Sequence, residues 1–316
     1  MASKVRKMYD TLMESADEFS EDHATKLSAS LAYYTIFSVG PLLLVVITLL
    51  GFLYKKPYVT TQVFDQLGAI IGKSGAAELQ SILENISHQN HSTLFGIIGG
   101  IVLVFGATGI FTEIQGSINY IWSIKAKPKR GWLKYITDRL LSFSIIIGIG
   151  FLLLVTLFVN VLIDALTGRL QHYLGFANIL LIKDINLLLL FAVVTFLFAV
   201  IYKVLPDAKI SWKDTFAGAG FTGLLFLGGK FLIGYYLGSS ASFNTYGAAT
   251  SIIILLSWVY YSSIILYFGA EFTKVYAMKF GKGITIYETA VYIIKREAKE
   301  LPVKEIPSEK QIKNGS

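Results

Sequence analysis

Apolar residues along this chain gather into six stretches, at about 31–53, 94–116, 140–163, 186–205, 215–237 and 247–270. Crossing ~30 Å of hydrocarbon takes roughly 20 helical residues, and each stretch reaches that length. Helix is required, because an isolated strand would leave its backbone groups unpaired in lipid. The pattern predicts an all-α, polytopic membrane protein of six transmembrane helices with amphipathic interfacial helices. Three parts are expected: a cytoplasmic amphipathic segment over 1–27, a membrane domain over 28–271, and an amphipathic helix with a charged tail over 272–316.

Between the long runs the period shifts. Val5, Tyr9, Leu12, Ala16 and Phe19 recur at helical spacing among charged residues, which predicts a surface helix ahead of the first span. Val63, Leu67, Ile70 and Ile71, followed by Leu79, Ile82, Leu83 and Ile86, predict two short amphipathic helices in the longest loop. The run Tyr173 to Ile182 is too short to span and reads as interfacial or as an extension of the fourth helix. Ile284, Tyr287, Val291 and Ile294 form a last helical stripe, and from Pro302 the tail is polar. Gly40-Pro41 interrupts the first span, where proline removes a hydrogen bond, so the pair is a hinge candidate.

Charge orients the bundle. Lys and Arg number twenty-two before the first span, in the second-to-third and fourth-to-fifth connections and after Glu271, against five on the other side. By the positive-inside rule both termini are cytoplasmic. The net charge of +7 belongs to helix ends facing anionic lipid, so membrane lipids are the expected partners and nucleic acid is not. Residues 1–27 lack a basic start followed by an apolar run, so the first span is expected to direct its own insertion. The absence of cysteine excludes disulfides, thiolate metal sites and cysteine nucleophiles.

Few residues carry candidate chemistry. Lys230 lies within the fifth span, where a lysine costs about 2.5–3.5 kcal/mol at a helix centre. Asn160 and Asp164 at the outer end of the third span are its candidate partners; the alternative is that its stem snorkels to the headgroups. Thr108, Thr112, Gln115 and Asn119 follow spacings of four, three and four, which predicts one polar face for interhelical bonding or a cavity lining. Glu113 and Glu271 sit near cytoplasmic helix ends, where a carboxylate is solvated unless shielded. Glycines 218, 220, 223, 228, 229 and 234 make the fifth helix a close-packing or deformable element, within one chain or between two copies, which leaves a homo-oligomer open. The four histidines lack metal-ligand spacing with acids, so no catalytic residue, metal or cofactor is expected and an enzyme is not.

Four stretches are similar to the YihY/BrkB family of bacterial inner-membrane proteins: SASLAYYTIFSVGPLLLVV from Ser28, GIFTEIQGSINYIWSI from Gly109, YKVLPDAKISWKDTFAGAG from Tyr202, and YGAATSIIILLSWVYYSSIILYFGAEF from Tyr246. The resemblance covers roughly residues 20–280 and implies six helices with cytoplasmic ends in a bacterial inner membrane. It brings no established mechanism. Some members carry a ribonuclease name, yet this chain lacks the clustered ligands a metal-dependent nuclease needs. Tyr33, Tyr34, Pro41, Gln115, Asn119, Pro206, Tyr246, Gly247, Trp258 and Glu271 fall within the matching stretches. The leading expectation is a transporter or flippase-like exporter of a lipid or amphipathic anionic solute, with Lys230 attracting the anion. The alternative is a non-transporting scaffold in envelope assembly.

Overall fold

The computed structural model describes residues 2–51, 93–127, 177–239 and 250–294, with isolated helical positions within 60–81 and 132–140. Among the described residues six long helices dominate: α1 (Ala2–Glu21), α2 (Ala24–Gly51), α3 (Thr93–Ile121), α4 (Ala177–Val204), α5 (Trp212–Ser239) and α6 (Thr250–Phe280). At 1.5 Å per residue, the 28–31 residues of α2 to α6 make rods of roughly 42–46 Å. Among the described residues, one stretch, Ala24–Leu44, is long and apolar enough to cross a membrane, with mean hydropathy 1.5, and a shorter apolar stretch covers Leu190–Val204. The expected third span, 140–163, lies outside the described residues apart from position 140.

The helices reach further than the apolar runs. α3 continues to Ile121 and α6 to Phe280, so the sixth helix carries on past Glu271. The Tyr173 to Ile182 run joins the fourth helix from Ala177 onward. In the longest loop, 60–65 and 76–81 hold helical positions, with Val63, Phe64 and Leu79 buried. α2 runs unbroken through Pro41. The Pro41 ring rests where α3 has Gly106: a Cβ there would stand 2.9 Å from Pro41 Cγ. This proline therefore fills a notch in the neighbouring helix.

Four very short strands gather at one end of the bundle: β1 (Ile124–Ala126), β2 (Ala208–Lys209), β3 (Thr285–Ile286) and β4 (Ala290–Tyr292). β1 pairs antiparallel with β4, Ile124 opposite Tyr292, and β2 with β3, Ala208 opposite Ile286. The segment after α6 therefore clips together the chain following α3 and the α4–α5 connection. The described fold is mostly helical, as expected, with this short-strand clasp added, and one expectation is corrected: the Ile284, Tyr287, Val291, Ile294 stripe is not a helix. Gly283 at φ +75° turns the chain out of α6, its amide reaching the Ala277 carbonyl at 2.9 Å, the left-handed ending that favours glycine. Beyond that turn the backbone bonds across to the two connections, and Ile294 is almost fully exposed.

α1 also departs from expectation. It leans on α6; Thr11 and Ser15 are buried, Leu12 and Phe19 half-buried, and Asp22, just past the helix end, is buried too. Tyr9 and Ala16 of the predicted apolar stripe are exposed. The two buried hydroxyls satisfy themselves on their own helix, Thr11 to the Lys7 carbonyl at 2.8 Å and Ser15 to the Thr11 carbonyl at 2.7 Å. A small, self-satisfied polar face can approach another helix as an alanine face would.

Candidate functional site

The clasp end brings the sequence candidates together. Asn119, at the last turn of α3, donates from Nδ2 to Asp207 Oδ2 at 2.9 Å, while the Asp207 amide donates back to Asn119 Oδ1 at 2.9 Å. Both side chains are buried, so this reciprocal pair locks α3 to the α4–α5 connection. Trp122 follows at the α3 turn. Its indole is buried and donates to the Ala270 carbonyl of α6 at 3.1 Å.

Of the predicted polar face on α3, Thr108, Gln115 and Asn119 are buried and Thr112 is exposed. At ~100° per residue Thr112 stands about 40° round from Thr108 and Gly116 about 80°, and both are exposed. The packed arc of α3 thus ends between Asn119 and Thr112. Glu113 accepts a hydrogen bond from Ser30 Oγ of α2 at 2.6 Å. The buried Tyr267 hydroxyl on α6 has Ser117 and Glu113 as polar neighbours.

Glu271 is completely buried, against the expectation of a solvated interfacial carboxylate. One turn of α6 supplies its counter-ion: Glu271 Oε2 lies 2.7 Å from Lys274 Nζ. The same ammonium ion-pairs with Glu18 of α1, stands 4.0 Å from Asp22 just past the end of α1 and donates to the Ile121 carbonyl at 2.8 Å. Three carboxylates therefore share one cation. Burial lifts the Glu271 carboxyl to about 8; Lys274 offsets part of that rise and Asp22 adds to it. Burial works against the Lys274 ammonium, but Glu271 and Glu18 outweigh it and hold the amine above its ordinary range. A cavity of about 490 Å³ opens beside the cluster, bounded by Glu14, Glu18, Glu21 and Asp22 on one side and by Lys274 and Trp122 on the other.

Lys230 is half-buried on α5, and among the described residues it has no ion-pair partner. Its expected partners Asn160 and Asp164 lie outside the described residues. Gly40 is buried within α2, beside the Pro41 contact. Among the described residues no three His, Asp or Glu side chains are placed to hold a metal ion.

The α4, α5 and α6 helices meet along a seam of small residues and hydroxyls. Tyr202 of α4 shares a 3.1 Å hydrogen bond with Thr222 of α5 and donates to the Leu266 carbonyl of α6 at 2.8 Å, so one phenol joins three helices. A Cβ on Gly218 would collide with Thr273, and one on Gly269 with Thr222 and Tyr202. Gly220 and Gly228 have nothing within 4 Å. Close packing therefore explains some glycines of α5 and not others. The sequence pattern does not single out Tyr202, Thr222, Asp207 or Lys274; aspartate three residues after the α4 terminus and lysine three after Glu271 are the available signals.

Long helices clasped at one end by their connections define a mostly helical protein. The profile of the Virulence factor BrkB family matches residues 15–290, and the chain belongs to that family. A UPF0761 membrane protein of Tolumonas auensis is 29% identical over 267 residues, 80% of each chain. The ribonuclease-like protein YfkH of Bacillus subtilis is 25% identical, over 77% of this chain and 86% of its own. A UPF0761 membrane protein of Pseudomonas paraeruginosa is 28% identical over 81% of this chain, which spans 60% of that relative's length. No solved structure matches. The relatives support a bacterial membrane location.

Proposed function

We propose that this chain is a six-span inner-membrane transporter with cytoplasmic termini, acting as a flippase-like carrier for a lipid or an amphipathic anionic solute. The observation that carries the reading is the buried polar file on α3, from Thr108 through Gln115 to Asn119. Such groups are costly in an apolar bundle and are best repaid by a polar path. Asn119 bonded to Asp207 and Trp122 bonded to Ala270 close that path at the clasp end. Lys230, entered from the other end, attracts the anionic group. Transport runs downhill or draws on an ion gradient through Glu113 or Glu271, and no enzymatic step belongs to it.

The test is transfer of a fluorescent anionic lipid across proteoliposomes holding the purified protein. Loss of transfer in Lys230→Ala supports the assignment, and an unchanged rate removes Lys230 from the path. The clasp favours one other reading, a non-transporting scaffold that uses its tied connections to hold partners. No transfer at all, with proteins that co-purify stoichiometrically, would favour the scaffold.

A further inference from the structure

We propose that α1 is a detachable strap, held on α6 by the ammonium groups of Lys274 and Lys279 and released when Glu271 ionises. Three features of the seat carry this inference. Beside the apolar packing of Phe19, the polar ties of α1 to the bundle run through two lysines: Lys274 to Glu18 and to Asp22 just past the helix end, Lys279 to Glu14 at 2.5 Å and to the Asp10 carbonyl at 3.2 Å. The buried hydroxyls Thr11 and Ser15 bond within α1, so they do not anchor it, and Phe19 against Phe268 is the aromatic contact across the joint. On its other flank α1 faces the 490 Å³ cavity, so the clasp does not support it there.

Charge sets the direction. Around Glu271, Lys274 stands on the same helix, Glu18 on α1 and Asp22 just past its end, and α3 supplies the uncharged Ile121 carbonyl to Lys274. Further out are Glu14 and Glu21 along the cavity, Glu113 beside Tyr267, and Asp214 of α5 against Gly281 at the end of α6. With Glu271 protonated, Lys274 serves the carboxylates of Glu18 and Asp22. With Glu271 ionised, the same ammonium is drawn to a third carboxylate on its own helix, and Glu271 repels Glu18 and Asp22 at close range in a poorly solvated site. The α1 side loses on both counts. A buried acid whose proton favours docking makes α1 responsive to alkaline conditions on its own side of the membrane, and this holds whether or not the protein transports anything.

The cysteine-free chain permits a direct measurement. Spin labels on Met13→Cys of α1 and Lys125→Cys of β1, both exposed positions, report the α1-to-clasp distance in the full-length protein in lipid nanodiscs. The probe is the proton alone, at about pH 6.5 and about pH 9.5, either side of the Glu271 transition. The expected result is one narrow distance at the lower pH and a longer, broader distribution at the higher, with the docked population falling several-fold. Glu271→Gln should stay docked at both pH values, and Lys274→Gln should be released at both. An unchanged native distribution, or a Glu271→Gln protein that opens with pH as the native one does, overturns the proposal. The native and Glu271→Gln measurements decide it even if Lys274→Gln fails to fold.

Discussion

Two joints in this protein are built on opposite principles. The α4–α5–α6 seam is steric: Gly218 lies against Thr273, Gly269 against Thr222, and Tyr202 bonds to both neighbouring helices. Thr222 and Thr273 first satisfy themselves on their own helices, bonding to the Gly218 and Gly269 carbonyls at 2.8 and 2.6 Å. The seat of α1 on α6 is electrostatic, two lysines against a line of carboxylates beside an open cavity. In lipid no hydrophobic drive pulls helices together, so fit and interhelical bonds must do it. Where water reaches the helix ends, charge can do the work, and charge can be switched. The contrast separates a fixed frame from a helix poised to leave it.

The largest break in that comparison comes from the seam. Gly269→Val places branched carbons onto Thr222 and Tyr202, both fixed by their own hydrogen bonds, so the neighbours cannot give way. The cost should exceed the ~1–3 kcal/mol of ordinary overpacking, read as loss of folded protein in detergent by size exclusion. Gly220→Ala and Gly228→Ala meet nothing within 4 Å. They should be neutral, or gain up to about 1 kcal/mol from helix propensity, which shows that the defect belongs to the contact and not to glycine loss in α5.

Next in size is the lock between α3 and the α4–α5 connection. Asn119→Ala removes both bonds to Asp207 and leaves a buried carboxylate short of a donor, at a cost of about 1–3 kcal/mol. A fall in thermal midpoint in Asn119→Ala, with a smaller fall in the Asn119→Ala, Asp207→Ala pair than the single changes add to, would confirm the reciprocal geometry. Simple additivity would deny it.

Not all of this was legible from the residues. The long helices were, because 20-residue apolar runs have few alternatives in a bilayer. The clasp was not: two- and three-residue strands are too short to display a period of two, and Ile284, Tyr287, Val291 and Ile294 satisfy a helical spacing equally well. The docking face of α1 was hidden because it buries Thr11 and Ser15, residues that read as solvent-facing, while Tyr9 points away. Gln115 and Asn119 were identified as inward-facing from helical spacing, yet Thr112 shares that spacing and is exposed. The packed arc depends on which neighbours surround α3, and that information is not in α3 itself. Glu271 was singled out, but its burial depends on α1 folding back over α6, a long-range contact without a local signal.

The α1 seat supplies the two smaller effects, and both follow from how its charges are solvated. Glu271 binds a proton up to about pH 8 in the folded protein but only to about 4.3 as a free side chain. Its folded-state pKa is raised, so its contribution is fully present below the unfolded pKa and is lost as pH rises toward 8 and through it. Stability should therefore decline across that window, and Glu271→Gln should flatten the decline in thermal midpoints measured against pH; an equally steep native-like slope in the variant would remove Glu271 from the cause. Lys279 closes the series. Its pair with Glu14 is partly exposed on both sides, and such pairs contribute about 1 kcal/mol or less. Lys279→Ala should barely move the midpoint, yet it should shift the α1 docking equilibrium, because a joint made of few weak ties responds to the loss of one where a close-packed seam would not. Equal sensitivity of midpoint and docking to Lys279→Ala would mean that α1 folds as part of the frame.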